Sequence, residues 1–550
     1  MKRMLLAGVV VLGLVGCVAI PDSGTVHEGR VDTVDRPNEL VFIAPEPQPG
    51  ATQEEIVLGF LAAAVSPDEN FAIARQYLAA GAASTWDPSE GVIVRTGAQP
   101  EVSLSGESSA TAVMTALSEV GPGGQLSLTG GGDRMLEFTF SQVDGEWRIA
   151  QAPDGIVLSG NRFDQLFRAH TLYWLTPDGT RSVPEVRWFE RTVSTLQERI
   201  IDALLAGPST WLSPAVSTAG AVEARRVGEP RVDGNVLTVT LDTAQVRQLG
   251  TGSLSPLAAQ LALSLRDLGV REVHIEIEGL GTVGASSAQA APIDEGGVDQ
   301  RPLVLEGTSL RPIGSGSPTV DDVGETLAAI GATSYTVGAV GGVAHTGTTA
   351  AWIVPGAEPV SISSDVAVPP TVDDSGWVLL QERQAGQRLV AWRDGERSEL
   401  ALPAGAGPVA AMELSRDGTR LLVATSNDGD SQVWALAVLR DGDGRPMALG
   451  EPYALPPVEG AVSDVTWVSP TQVAVLATDD DAAQVAVLSV GGVAEQLPSP
   501  TGPVRAIVGG SQGPTSLRAL GAEGELLSLR GRVWTAATGL EPIQLIATQQ

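Results

Sequence analysis

Cys17 is the only thiol in a chain of 550 residues, and Leu14, Val15 and Gly16 stand directly before it. Aliphatic and small residues ahead of a cysteine match the bacterial lipobox, where the sulfur is alkylated with diacylglycerol and the chain is cut before the cysteine. With that sulfur consumed, no thiol is left for nucleophilic catalysis and no second cysteine for an intramolecular disulfide. Other chemistry-bearing residues are thinly spread. The four histidines are His27, His170, His274 and His345; none sits near a second one or in a His-Glu-x-x-His pattern, so a zinc centre lacks its ligands. Gly279, Gly281 and Gly284 carry the glycine spacing of a dinucleotide loop after a strand, yet no amphipathic helix follows. Asp441, Asp443 and the run Asp479-Asp480-Asp481 would attract calcium only with a bidentate glutamate that the spacing does not supply, and they read as solvated turns. No catalytic residue, cofactor site or metal site is assigned. The 65 acidic residues leave many carboxylate pairs that spacing alone cannot place.

The segment that must present Cys17 fits this reading. Lys2 and Arg3 give a positive start, and residues 4–15 are uncharged and apolar. About twelve residues at ~1.5 Å each fall short of ~30 Å of hydrocarbon, so residues 1–16 read as a cleaved signal peptide and not a membrane span. Two acyl chains on Cys17, worth ~0.8 kcal/mol per buried methylene, would then hold the mature chain in membrane lipid on the extracytoplasmic face of the cell membrane. Residues 17–50, with Pro21, Pro37, Pro45, Pro47 and Pro49, read as the lipidated cysteine and an extended tether. A net charge of −31 excludes a basic face for a phosphate backbone, so nucleic acid is not a partner.

The remainder is long and apolar enough, at 43% hydrophobic residues, for about three domains. Over 51–160, Thr52 with Glu55 and Ser66 with Glu69 match capping boxes, and Pro67 fits a first helical position. From Val92 the period changes to two, with Val102/Leu104, Val113/Leu117, Leu126/Leu128 and Leu136/Phe138/Phe140 as apolar alternations. Helices followed by a curved antiparallel sheet predict an α+β cone of the cystatin-like type, in a structural or interaction role. Over 161–284, a strand at Thr171-Leu172-Tyr173-Trp174-Leu175, a helix over 193–205 stopped by Gly207-Pro208, a strand at 236–241, a helix at 257–268 and a strand at 273–277 predict a compact α/β sandwich.

Residues 285–300 read as a linker. From 301 to 550, short alternating strands recur around Asp374-Ser375-Gly376, Arg416-Asp417-Gly418 and Ser469-Pro470, roughly forty to fifty residues apart, the period of a propeller blade. Trp352, Trp377, Trp392, Trp434, Trp467 and Trp534 recur with them and are expected to pack between blades. The run Pro302-Leu303-Val304-Leu305 is expected to add a strand that closes the ring and removes its exposed sheet edges. The fragments 50–284 and 301–550 are then expected to be separable.

The runs Ala152-Pro153-Asp154-Gly155, Leu172-Tyr173-Trp174-Leu175, Val183-Pro184-Glu185-Val186-Arg187 and Leu204-Leu205-Ala206-Gly207-Pro208 resemble the GerMN-type domain of the actinobacterial LpqB lipoprotein family. The lipobox ahead and the propeller-like region behind match that family's layout. The resemblance implies a multidomain fold of cystatin-like cone, central α/β GerMN-type domain and all-β propeller. It also implies a non-catalytic envelope protein whose partner is the extracytoplasmic sensor part of a membrane histidine kinase of the MtrB type, acting in cell-wall homeostasis and division. The residues alone support the frame of a tether and interaction domains, and leave open a binder of cell-wall glycan or of a small molecule.

Overall fold

The computed structural model describes residues 45–549 apart from 67, 192–194, 220–223, 243–253, 278–280, 292–300, 315–320, 428–429, 480–481 and 511. Helix Gln53–Ala63 starts at a complete capping box: the Thr52 hydroxyl accepts from the Glu55 N–H at 3.2 Å, and Glu55 accepts from the Thr52 N–H at 2.8 Å. Its apolar side, Ile56, Val57 and Phe60, is buried against a curved sheet ordered Glu146–Gln151, Asp133–Val143, Ser109–Val120, Val92–Arg95, Ile156–Ser159. The last pair is parallel and the others are antiparallel. Phe138 and Phe140 face the helix as expected from their alternation. Val113 and Leu117 do not. The inner face of Ser109–Val120 is Ala110, Ala112, Met114, Ala116 and Val120, while Leu117 is exposed. Alternation marks two faces without saying which is inside, and here small alanines take the buried face.

The central domain opens with a hairpin, Phe167–Leu175 and Ser182–Glu190, in register from Phe167/Glu190 to Leu175/Ser182. Its turn is locked by Asp178, whose carboxylate accepts from the Thr180 N–H at 3.1 Å. The second strand is an addition to the expected order, because Pro184 in Val183-Pro184-Glu185-Val186-Arg187 disguises a strand. Helix Leu196–Ala206 ends at Gly207, whose φ of 97° is open to glycine. Strands Val236–Asp242 and Glu272–Ile277 run parallel, separated in the chain by helix Ser255–Ser264, and Gly281–Ser286 pairs antiparallel beyond them.

In the C-terminal region, the strands Ser334–Gly338, Thr371–Val372, Val409–Leu414, Ala461–Ser469, Val504–Val508 and Ile543–Gln549 adjoin in turn, marking six blade units among the described residues, the first and sixth of which share one seven-stranded sheet through the parallel pairing of Ser334–Gly338 with Ile543–Gln549. The turns Asp374-Ser375-Gly376, Arg416-Asp417-Gly418 and Ser469-Pro470 each follow the inner strand of the second, third and fourth blade. In the sixth blade the last strand of the chain, Ile543–Gln549, pairs with Leu303–Glu306, which pairs with Ser309–Pro312. Sewing the two ends of the domain together leaves no free edge where the ring closes.

Carboxyls and hydroxyls on inner strands reach across the seams. The Leu414 N–H donates to Thr371 at 3.1 Å, the Ile507 N–H to Asp464 at 2.8 Å and the Gly509 N–H to Thr466 at 3.0 Å. Trp352 and Trp392 meet between the first and second blades at 6.2 Å. Of the 11 tryptophans none is exposed; six are buried, which fits packing. One apolar cluster joins Trp174, Leu204 and Ile275 of the central domain to Tyr453, Val473 and Leu488 of the propeller. The two expected fragments therefore share a core.

Candidate functional site

Leu14, Val15, Gly16 and Cys17 lie outside the described residues, as do the tether up to residue 44, His27 and residues 292–300 of the linker. Among the described residues the histidines stay apart and no group of three metal-ligating side chains occurs. His170 and His345 are each pushed down by burial first and then by Arg168 and Arg383 respectively, whereas His274 meets Glu272 at 2.8 Å. Gly279 is not described, and Gly281–Ser286 is a strand with no phosphate-binding helix after it. Asp441 accepts from the N–H groups of Asp443 and Arg445, both at 3.0 Å, as a turn residue does. Gly509-Gly510-Ser511-Gln512-Gly513 fits the Gly-x-Ser-x-Gly pattern, although no elbow of that kind is expected from the sequence. It lies in a loop between two blade strands and not on a strand-to-helix elbow, and Ser511 is outside the described residues.

The buried polar groups converge at the hairpin. Glu185 and Arg187 are two apart on one strand, so they share a face, and both side chains are 5% exposed. Glu185 accepts from Trp174 at 2.7 Å and from Arg187 at 2.9 Å. Arg187 also donates to the Gly123 carbonyl of the cone at 2.9 Å. Trp188 receives the cone on its N–H, which donates to Gly124 at 2.7 Å, and spends its indole N–H on Gly491 of the fourth blade at 2.7 Å. Tyr453 of the third blade stacks on Trp211 at 5.1 Å and donates to the Leu126 carbonyl of the cone.

A second set of ions fixes the hairpin tip to the propeller mouth. Arg181 binds Asp374 and the Arg416 carbonyl. Arg420 is held by Asp417, donates to the Pro470 carbonyl at 2.7 Å and to the Pro184 carbonyl of the hairpin at 3.4 Å, and lies 4.8 Å over the Trp467 ring. Arg440 joins Asp373 at 2.7 Å and the Gly418 carbonyl at 2.9 Å. Burial pushes the Asp417 carboxyl up, but Arg420 and the hydroxyl and N–H of Thr419 outweigh it and hold it below its ordinary value. Charges so engaged act as rivets. Sequence reasoning singled out the turns that hold Asp374 and Asp417, and the run that holds Glu185 and Arg187, but not their meeting.

The cone has its own concavity, about 380 Å³, floored by Phe60, Val92, Leu136 and Phe138 and edged by Glu90, Glu119 and Asp154. Glu119 is engaged by Arg134. No helix among the described residues is long and apolar enough to cross a membrane.

Three family models match the three parts. "Lipoprotein LpqB, N-terminal domain" matches residues 46–164, "Sporulation and spore germination" matches 171–281, and "Lipoprotein LpqB beta-propeller domain" matches 307–544. The chain is 27% identical to Lipoprotein LpqB of Thermobifida fusca over 88% of both chains. It is 27% identical to that of Streptomyces coelicolor, over 79% of this chain and 78% of the relative. Among solved structures it is similar to the tandem GerMN domains of the sporulation protein GerM from Bacillus subtilis, at 17% identity, with 24% of this chain and 48% of that one covered and a TM-score of 0.20.

Proposed function

Since the chain belongs to the LpqB lipoprotein family, we propose that it is a non-catalytic protein, anchored through Cys17 on the extracytoplasmic face of the cell membrane, that binds the sensor part of a membrane histidine kinase of the MtrB type and thereby acts in cell-wall homeostasis and division. The observation that carries this reading is the hairpin junction. Arg187 and Trp188 each bind both the hairpin's surroundings and the cone, while Trp188, Arg181 and Pro184 bind three propeller blades. Buried charges used this way align domains as one docking platform. A pull-down of soluble residues 45–550 against the sensor's external domain tests the partner; no binding at high micromolar concentration removes it.

The anchor has its own test. Cys17→Ala should be shed or remain as uncleaved precursor, because the chain holds no other thiol to accept the lipid. Mass spectrometry showing an acylated, processed variant would refute the anchor. The cone concavity favours a second reading, a binder of a cell-wall glycan or a small apolar molecule, since it combines an aromatic floor with a polar edge. Saturable binding of muropeptides or lipids by the soluble chain, with no binding of the sensor domain, would put that reading first.

A further inference from the structure

Two carboxyls in the propeller, one buried and one half-buried, have no salt bridge among the described residues. Glu413, on the inner strand of the third blade, is 7% exposed; its Oε1 accepts from the Trp467 N–H and from the Thr466 hydroxyl of the fourth blade, both at 3.3 Å. Asp464, on the inner strand of the fourth blade, keeps more surface, and accepts from the Val465 N–H at 3.0 Å and from the Ile507 N–H of the fifth blade at 2.8 Å. The charged groups bearing on Glu413 are Asp464, which opposes its ionisation, and Arg416, which favours it; burial raises Asp464 against the N–H donors of Ile507 and Val465, which favour its ionised form. An enclosed carboxylate that meets N–H and hydroxyl donors but no paired cation is costly, so the proton stays on. Burial accordingly pushes Glu413 up to about 8 and Asp464 up to about 7.

The seam they close leads to the hairpin. Trp467 receives Glu413 on its N–H, returns its indole N–H to the Glu413 carbonyl at 3.4 Å, and carries the Arg420 guanidinium 4.8 Å above its ring. Arg420 in turn donates to Pro184. We propose that Glu413 and Asp464 form a pH-responsive clasp across the third, fourth and fifth blades, which loosens the seat of the hairpin through Trp467 and Arg420 as the surroundings turn alkaline. Protonated, the clasp links three inner strands: Glu413 of the third blade accepts from the Trp467 N–H of the fourth, and Asp464 of the fourth accepts from the Ile507 N–H of the fifth. Ionised, it sets two like charges facing one another across a seam. The proton is released to solvent and no bond other than O–H breaks. The proposal is independent of which partner the platform binds.

The test is amide hydrogen exchange on the soluble chain 45–550 between pH 6 and 9, corrected for intrinsic exchange, read at 462–468 and at 182–188. If opening follows ionisation of Glu413, exchange in both segments rises about tenfold per pH unit up to about pH 8 and then levels off, because the ionised fraction does so. Glu413→Gln, which keeps the acceptor oxygen and cannot ionise, should flatten the rise in both segments, and Asp464→Asn should flatten it in part. A wild-type rise that survives in Glu413→Gln overturns the clasp. A rise at 462–468 with none at 182–188 overturns the link to the hairpin. Should the Gln variant fail to fold, infrared titration of the unsubstituted chain decides: a protonated carboxyl band at pH 6 that disappears by pH 9.5 supports the clasp, and its absence at pH 6 overturns it.

Discussion

The propeller buries charge in two ways within one blade of each other. At the mouth, Asp417 is matched by Arg420 and Asp373 by Arg440, and the hairpin brings a matched pair of its own, Glu185 with Arg187. At the seam, Glu413 and Asp464 accept from N–H and hydroxyl groups and have no paired cation among the described residues. The difference is one of permanence. A buried ion pair fixes geometry at every pH near neutrality, because removing either partner strands the other; an unmatched carboxyl exchanges its charge for a proton and makes the contact conditional. The domain junction is built from the first kind and the blade stack, in part, from the second.

Breaking a pair should have the largest effect. Arg187→Met leaves Glu185 buried without its cation and Gly123 without its donor, which should cost about 3–5 kcal/mol in urea unfolding of the soluble chain. Pairing it with Glu185→Gln should recover part of that loss, since the stranded charge goes too. By contrast Glu413→Gln at pH 5.5 should change stability by under about 1 kcal/mol, because it replaces a protonated carboxyl by an isosteric neutral group. Equal costs for Arg187→Met and Glu413→Gln at pH 5.5 would erase the distinction between the two regions.

The pH dependence should separate them in sign. Glu413 has its folded pKa raised, so its contribution is complete below its unfolded value near 4.5 and is lost as pH rises through about 8. Asp417 has its folded pKa depressed, so its contribution is present above its unfolded value of 3.8 and is lost as pH falls through the lower folded value. Thermal unfolding should therefore show a decline between pH 6 and 9 that Glu413→Gln removes, with a gain on the order of 2 kcal/mol for that variant at pH 8.5. A separate decline below about pH 4 should be lessened in Asp417→Asn, which starts from a lower plateau. An alkaline decline insensitive to residue 413 would assign it to other groups.

How far the sequence foretells this arrangement differs between the two regions. The turns that carry Asp374 and Asp417 were visible as repeats, because Gly376 and Gly418 adopt φ of 85° and 71° and so punctuate the pattern at each blade. Glu185 and Arg187 were legible in principle: two apart in a strand, they must share a face. Hidden was the strand itself, since Pro184 argues against one, and the meeting of Glu413 with Thr466 and Trp467, 53 and 54 residues on. Local periodicity places a side chain on a face of its own strand; only the stacking of blades decides what lies opposite. The same limit leaves the buried face of Ser109–Val120 open: Val113 and Leu117 alternate visibly, yet the alanines of the opposite face are the buried ones.

The smallest effect should come from ion pairs that resemble the junction in chemistry and lack its enclosure. On the outer strands of the second blade, Arg388 reaches Glu399 at 2.6 Å, closer than Arg187 reaches Glu185, yet their side chains are 58% and 66% exposed. If distance governed strength, Arg388→Ala would cost more than Arg187→Met. Water instead solvates both ions before and after they meet, salt screens them, and holding two long side chains still costs entropy. Arg388→Ala should therefore shift stability by under about 0.5 kcal/mol in urea unfolding, and by less still in molar salt. A loss there approaching that of Arg187→Met would mean that contact distance, and not exclusion of water, sets the worth of charge in this protein.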